Sequence, residues 1–328
     1  MSRTNDQFGR SSGALVTGAG GFVGGHLCRS LAERSWRVVA ARRGLSEDGL
    51  LPGIRSVQLV LSLDADSWQE ALKTVDCVIH LAGLAHQLRP SASDVSAFNQ
   101  TNVEGSRFVA EQAVRAGVRR LIFVSSIKVN GEGGSKTAYQ AGDAPNPRDP
   151  YAQSKLDAEI VLNDVCGRSR MELVIIRPPL IYGPGVGGNF RRLMSLAALG
   201  LPLPFLSIDN NRSLIGIWNL ASFIETCMTH PLAAGEIWLV SDGDDLSTPM
   251  LLRKLSRLMG KPSRLIPTSP QILRGLAACL GFGTAMSRLC GSLRLDSTRA
   301  RRRLNWTPPL SVDDGLARTV AAFLAQTQ

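Results

Sequence analysis

One short segment near the start limits what this chain can fold into. The apolar run Ala14-Leu15-Val16 passes directly into Thr17-Gly18-Ala19-Gly20-Gly21-Phe22-Val23-Gly24, and Phe22 to Glu33 then follow a helical period. Glycines at 18, 21 and 24, set between a strand and a helix, have three separate uses. One lets the chain reverse sharply, one lets backbone N–H groups approach an anion, and one lets helix and strand pack closely. The helix N-terminus behind the turn carries positive partial charge, so the anion it suits is a pyrophosphate. A glycine pattern alone is weak. Its place after the first strand and at the head of a helix is what the dinucleotide-binding motif requires.

The rest of the chain supplies a sheet for that turn. Short apolar runs rich in β-formers recur at Arg37 to Ala41, Val57 to Leu61, Val75 to His80, Arg120 to Val124 and Leu173 to Arg177. Helical patterns such as Trp68 to Lys73 and Val103 to Ala116 lie between them. That alternation predicts an α/β fold, a Rossmann-type doubly wound parallel sheet covered on both faces. After Pro178-Pro179 the texture changes to frequent Gly and Pro, as in Tyr182-Gly183-Pro184-Gly185-Val186-Gly187-Gly188. The expected organisation is a flexible tail over residues 1–12, a dinucleotide-binding domain over 13–178, and a smaller C-terminal substrate-binding domain over 179–328. Glu236 to Val240 would return a strand to the sheet.

Composition excludes several classes. With 44% hydrophobic and 20% charged residues the chain is ordinary globular protein with room for a large core. The net charge of +10 favours anionic partners. Arg299, Arg301, Arg302 and Arg303 form the one tight basic run; without interleaved aromatics it reads as a solvated helix face, so no nucleic-acid partner is expected. Six cysteines lie far apart with no Cys-x-x-Cys pair, and four histidines lack metal-ligand spacing. They imply reduced thiols, no metal and a cytoplasmic protein. The apolar stretch from Gly275 to Met286 is shorter than the roughly twenty residues that span a bilayer, so no integral membrane segment is expected.

Two further features carry chemistry. The second strand of such a sheet often ends in Asp or Glu, which holds the adenosine ribose; here Ala41-Arg42-Arg43 stand there. A carboxylate repels a 2′-phosphate and a guanidinium binds one, which favours NADP(H) over NAD(H). Tyr151-Ala152-Gln153-Ser154-Lys155 places a phenol and an ammonium four apart, on one face of a helix started by Asp149 as N-cap and Pro150 at the first position. A phenol of pKa about 10 needs a shift of roughly three units, or about 4 kcal/mol, to work near neutrality. A nearby cation supplies part of that shift. Ser125 and Ser126 follow the fifth strand, at the carboxyl end where ligands bind in open α/β sheets.

These stretches together resemble the extended short-chain dehydrogenases/reductases, the nucleotide-sugar epimerase/dehydratase group. The matching segments are Thr17 to Gly24, His80-Leu81-Ala82-Gly83, Asn102-Val103-Glu104-Gly105, Val124-Ser125-Ser126, Tyr151 with Lys155, Arg177 to Pro184, Arg212-Ser213-Leu214-Ile215 and Asn305-Trp306-Thr307-Pro308. The resemblance implies that Tyr151 is the acid/base, that Lys155 lowers its pKa and holds the nicotinamide ribose, and that Ser126 polarises the sugar carbonyl. It places the cofactor against Gly18, Gly20, Gly21, Phe22 and Val23, against Leu81, Ala82 and Gly83, and against Asn102 and Pro178. Ser125, Asn189 and Arg212 become substrate contacts, the last two at the nucleotide diphosphate. For His80 a packed core histidine is as good a reading as a catalytic one, and His86 has no assignable role. The resemblance also implies a homodimer through helices at Val103 to Ala116 and from Pro150 onward, with Val109, Ala110 and Ala113 on the contact.

Departures from the family pattern narrow the reaction. Ile127-Lys128 follow Ser126 where 4,6-dehydratases carry Asp-Glu, so dehydration is rejected. Val129-Asn130-Gly131 stand where epimerases usually have Val-Tyr-Gly. Ser125 to Glu132 resembles a bacterial surface-polysaccharide subgroup that includes reductases of UDP-4-keto-6-deoxy-N-acetylglucosamine. The leading expectation is therefore an NADPH-dependent 4-ketoreductase of such a UDP-sugar. The alternative is a UDP-hexose or UDP-N-acetylhexosamine 4-epimerase with recycled NAD. A non-catalytic dinucleotide sensor would have no use for the intact Ser126, Tyr151 and Lys155.

Overall fold

Strand β1 (Gly13–Thr17) is buried along its whole length, which demands a sheet neighbour on each side and a covering layer on each face. The computed structural model supplies both; it describes residues 13–44, 53–59, 65–85, 92–133, 137–279 and 283–326. The tail over 1–12 and His86 lie outside the described residues. After β1 come α1 (Phe22–Glu33), β2 (Arg37–Arg42), β3 (Ile54–Gln58), α2 (Ala65–Leu72), β4 (Cys77–His80) and α3 (Ala92–Phe98). A π-helical turn (Asn99–Glu104) leads into α4 (Gly105–Arg115), β5 (Arg120–Val124), α5 (Pro150–Gly167) and β6 (Glu172–Arg177). Then follow β7 (Leu180–Tyr182), α6 (Gly188–Leu199), β8 (Leu214–Gly216), α7 (Ile217–Thr229) and β9 (Glu236–Leu239). The chain closes with α8 (Thr248–Leu258), α9 (Pro270–Cys279), α10 (Gly283–Cys290), α11 (Thr298–Arg303) and α12 (Val312–Ala325).

Seven strands form one parallel sheet in the order β3-β2-β1-β4-β5-β6-β9. The direction of winding reverses between β1 and β4, so a crevice opens at their carboxyl ends, where such sheets bind ligands. One face of the sheet is covered by α1 and α7 through Leu27, Leu31, Phe223 and Ile224, with Phe223 packed on Trp238 of β9. The other is covered by α2, α4 and α5 through Trp68, Val109, Leu162 and their neighbours. A separate apolar cluster joins α6, α8 and α12 through Phe190, Leu252, Leu255 and Leu316, beside the two-stranded sheet β7-β8.

Three local expectations change. The third strand lies at Ile54–Gln58, ahead of the apolar run that suggested 57–61. It is an edge strand, so Arg55 and Gln58 face water and apolar content marks it poorly. The helical pattern at 103–116 begins instead in the π-helical turn, which buries Asn102. Val109, Ala110 and Ala113 are fully buried against the molecule's own sheet, so they are core and not a dimer contact.

The basic run near the C-terminus is partly structural. Arg299 and Arg303 each pair with Glu236 at 2.6 Å, and Arg301 donates to the Asp242 carbonyl at 2.7 Å, fastening α11 to β9. Among the described residues no helix is long and apolar enough to cross a membrane.

Candidate active site

The glycine turn is built for a bound anion. Gly18 has φ +67°, and a Cβ there would stand 2.9 Å from the Ala82 nitrogen. A Cβ at Gly24 would collide with the Gly18 carbonyl, so close approach of α1 to β1 needs glycine. Gly21 is the N-cap of α1 with no side-chain cap, and the first turn holds no acidic residue. Phe22 and Val23 open that turn half-buried, while Gly20 and Gly21 are exposed. Uncapped N–H groups at an accessible helix end, with no competing carboxylate, suit the pyrophosphate of a dinucleotide.

The floor beside the turn is fixed by a polar chain. Thr17 Oγ1 accepts the backbone N–H of Leu81 and of Ala82, both at 3.1 Å. Its own proton therefore goes to His80 Nδ1 at 2.7 Å. His80 then carries its proton on Nε2 and donates to Ser106 Oγ at 3.0 Å. Burial holds the imidazole pKa down at about 3, with Lys155 acting in the same direction. His80 is a neutral structural histidine. Asn102 acts similarly: Nδ2 donates to the Leu84 carbonyl and to Ser154 Oγ, and Oδ1 accepts the Leu84 N–H. It clamps α5 to the loop after β4, and a Cβ at Gly83 would stand 2.9 Å from its oxygen.

At the end of β2 the Ala41 carbonyl accepts the Ala19 N–H, drawing the strand against the glycine turn. Arg42 is half-buried with its charge near the Cys28 thiol, and Arg43 is exposed. No carboxylate ends this strand.

The catalytic helix starts as the sequence implies. Asp149 Oδ1 accepts the Ala152 N–H at 2.7 Å, and Pro150 occupies the first helical position. Tyr151 lies in the first turn, and Ser126, which follows β5, is near enough to its phenol to favour the ionised form. Lys155, one turn on, is buried with Nζ 3.9 Å from the Phe123 ring centroid. The protonation states depart from expectation. Burial pushes the Tyr151 phenol up to about 12; Ser126 opposes this and the Asp149 charge adds to it. Burial brings Lys155 down to about 7, against the pull of Glu159. In this arrangement desolvation outweighs any lowering of the phenol by the lysine.

The two adjacent serines separate. Ser126 faces Tyr151, whereas Ser125 Oγ donates to Glu159 Oε1 at 2.5 Å and is buried. Glu159 also takes both arms of the Arg177 fork, at 2.9 Å and 2.5 Å, and Arg177 Nη1 reaches Asn130 Oδ1 at 2.9 Å. Ser125 thus fastens β5, α5 and β6 together through its own proton. The Pro178 carbonyl accepts the Ile127 N–H at 3.0 Å, fixing the turn after Ser126. Sequence reading missed Glu159, although Tyr151, Lys155 and Glu159 recur every four residues and so share one helix face.

The expected diphosphate contacts, Asn189 and Arg212, find their hydrogen bonds away from Ser126, Tyr151 and Lys155. Asn189 is exposed in the first turn of α6, its oxygen 3.5 Å from Arg192 Nη1. Arg212 Nη1 donates to the carbonyls of Arg288 and Gly291, at 2.5 Å and 2.9 Å, so this arm of the guanidinium braces the end of α10.

Comparisons with known proteins agree with this geometry. A UDP-glucose 4-epimerase of Vibrio cholerae is 38% identical over 316 residues, covering 94% of this chain and 95% of its own length. An N-acetyl-alpha-D-glucosaminyl-diphospho-ditrans,octacis-undecaprenol 4-epimerase of Escherichia coli O157:H7 is 28% identical and covers 93% of both chains. Among solved structures, UDP-glucuronic acid 4-epimerase from Bacillus cereus, in complex with UDP-glucuronic acid and NAD, superposes with a TM-score of 0.78. The superposition covers 96% of this chain and 99% of that one at 20% identity, a likeness of fold. Residues 14–241 match the model of the NAD-dependent epimerase/dehydratase family, and the chain belongs to that family.

Proposed function

We propose that the protein is a 4-epimerase of a UDP-hexose or UDP-N-acetylhexosamine. The observation that carries this reading is the placement of Tyr151 and buried Lys155 one turn apart on α5, with Ser126, at the carboxyl end of β5, near enough to the phenol to oppose its upward shift. A bound nicotinamide supplies the acceptor and donor of the hydride at C4. The protein's own groups handle the proton. The phenolate form of Tyr151 takes the proton of the C4 hydroxyl as a ketone forms, and the resulting phenol returns it as the ketone is reduced. Ser126 Oγ hydrogen-bonds the same oxygen and holds it in line with the phenol. Gly18, Gly21 and the N-terminus of α1 hold the pyrophosphate. The Glu159–Arg177 pair, fully desolvated and bidentate, fixes α5 against β5 and β6, so that the phenol and the serine keep their spacing. The 38% identity to the Vibrio cholerae epimerase over nearly the whole chain supports epimerisation.

A second reading, an NADPH-consuming 4-ketoreductase of a UDP-4-keto-6-deoxy-N-acetylhexosamine, draws on the end of β2, where Ala41-Arg42-Arg43 replace the ribose-binding acid. One experiment separates the two. The enzyme is incubated with UDP-glucose or UDP-N-acetylglucosamine and NAD, and separately with the 4-keto sugar and NADPH. Inversion at C4, seen by NMR without net change in the cofactor, is expected. Stoichiometric NADPH oxidation with no inversion favours the reductase.

A further inference from the structure

Next to the catalytic tyrosine lies a closed ring of four charges that the mechanism above does not use. Lys128 follows Ser126 by two positions, and its backbone N–H donates to Ser126 Oγ at 3.3 Å. Its Nζ reaches Glu132 Oε1 at 2.8 Å and Asp149 Oδ2 at 2.5 Å. Arg288, from α10, reaches the same two oxygens, both at 3.1 Å. Lys128 Nζ also stands 5.8 Å from the centroid of the Tyr151 ring. Two carboxylates and two cations thus alternate around one point, with a single cation of the ring turned to the phenol.

The arrangement has electrostatic consequences at Tyr151. Asp149 sits two residues before it, and this negative charge disfavours the phenolate. Burial alone would raise the Asp149 carboxyl, but the bonds from Lys128 and the Ala152 N–H outweigh that and keep it ionised. Asp149 is also the N-cap of α5, so its charge belongs to the helix start and is not optional. Lys128 neutralises that carboxylate on one side and presents its own charge to the ring on the other. Ser126 after β5 and the Phe98 ring, 6.2 Å away at the end of α3, also face the phenol, and Lys155 lies one turn on along the same helix with its Nζ on the Phe123 ring. Arg288 extends the ring to α10, and the carbonyl of Arg288 is held by Arg212.

We infer that Lys128 is a positioning residue for catalysis, which offsets the Asp149 charge at the Tyr151 phenol and ties the catalytic helix to α10 through Arg288. The inference rests on the role of Tyr151 given above. Lys128→Met removes a cation about 6 Å from the ring and uncovers a carboxylate. By Coulomb's law at effective dielectrics of roughly 20 to 80, the phenol should titrate about one unit higher. The sign is independent of reaction direction. A base must lose its proton and an acid must keep it, and a higher pKa moves either limb of a pH–kcat profile to higher pH.

Direct titration provides a readout besides activity. The chain has three tyrosines, Tyr139, Tyr151 and Tyr182. An ultraviolet difference titration against Tyr151→Phe therefore isolates the Tyr151 phenolate, in the wild type and in each variant. Lys128→Met should titrate about one unit above wild type and move the limb of its pH–kcat profile upward by the same amount, and Lys128→Arg should restore both. Asp149→Asn, which keeps the N-cap, should move the phenol the opposite way. An unmoved phenol in both Lys128→Met and Asp149→Asn overturns the inference, as does a loss of kcat in Lys128→Met without a shift. If Lys128→Met fails to fold, Asp149→Asn alone decides by the direction of its shift. Failure of the underlying reading looks different, since Tyr151→Phe would then keep wild-type turnover.

Discussion

Tyr151 is where residue-scale chemistry is most exposed to test. Tyr151→Phe keeps the ring and deletes the proton, so turnover should fall at least about 10²-fold with nucleotide-sugar binding largely retained. Wild-type turnover in the mutant would remove the phenol from the mechanism. Lys155 gives a second outcome of definite sign. Its ammonium is brought from 10.5 down to about 7 by burial. The unfolded chain therefore binds the extra proton across that window, and stability rises with pH from about 7 toward 10.5 and is lost as pH falls. Lys155→Met should abolish turnover, yet raise the melting temperature at pH 7 and flatten its rise with pH. A lower melting temperature at pH 7 would contradict the burial cost. Arg42 carries the cofactor question. A charge-assisted contact to a 2′-phosphate is worth on the order of 1.5–3 kcal/mol, roughly a ten- to hundredfold preference for NADPH over NADH. Under the reductase reading the wild type shows that preference and Arg42→Ala erases it. A wild type that binds both alike would take Arg42 out of cofactor choice and strengthen the epimerase reading.

At the scale of elements, legibility followed periodicity. The β1–α1 turn could be read because its glycines answer a local demand: Gly18 takes a left-handed φ and Gly24 has no room for a Cβ. The same geometry separates two glycines that look alike in the sequence. A Cβ at Gly20 meets nothing within 4 Å, whereas one at Gly24 strikes backbone atoms of Gly18 and Ala19. Gly20→Ala should therefore keep dinucleotide affinity within a few-fold, and Gly24→Ala should lose it, as read by cofactor fluorescence titration. Equal loss in both would mean that backbone freedom, not packing, governs the turn. The π-helical turn at Asn99–Glu104 was not legible, because an inserted residue leaves the apolar spacing of α4 intact. The separation of Ser125 from Ser126 was not legible for a related reason. Two adjacent serines after a strand point to opposite faces, and only the neighbours of each, Glu159 and Tyr151, tell them apart. Those neighbours lie in another element, out of reach of any local pattern.

Over the whole molecule, the parallel sheet was read from alternating strands and helices, while the part after Pro179 resisted because its helices pack on one another around Phe190 and Leu252 without a sheet period to mark them. Assembly is where the sequence reading needs rebuilding. The residues first assigned to a dimer contact, Val109, Ala110 and Ala113, are wholly inside the protomer. What remains on the outer side of α5 is Ile160, 59% exposed, with Leu156 half-buried one turn before it. A β-branched side chain left open on a helix whose other face is core marks a surface that another apolar surface can cover. A homodimer through α5 therefore requires Ile160 at its centre. Light scattering at micromolar concentration should give twice the chain mass for the wild type. Ile160→Glu should give the monomer mass with an unchanged circular dichroism spectrum, because no intramolecular packing depends on an exposed side chain. A wild type of monomer mass removes the dimer, and an Ile160→Glu variant that stays dimeric moves its interface away from α5.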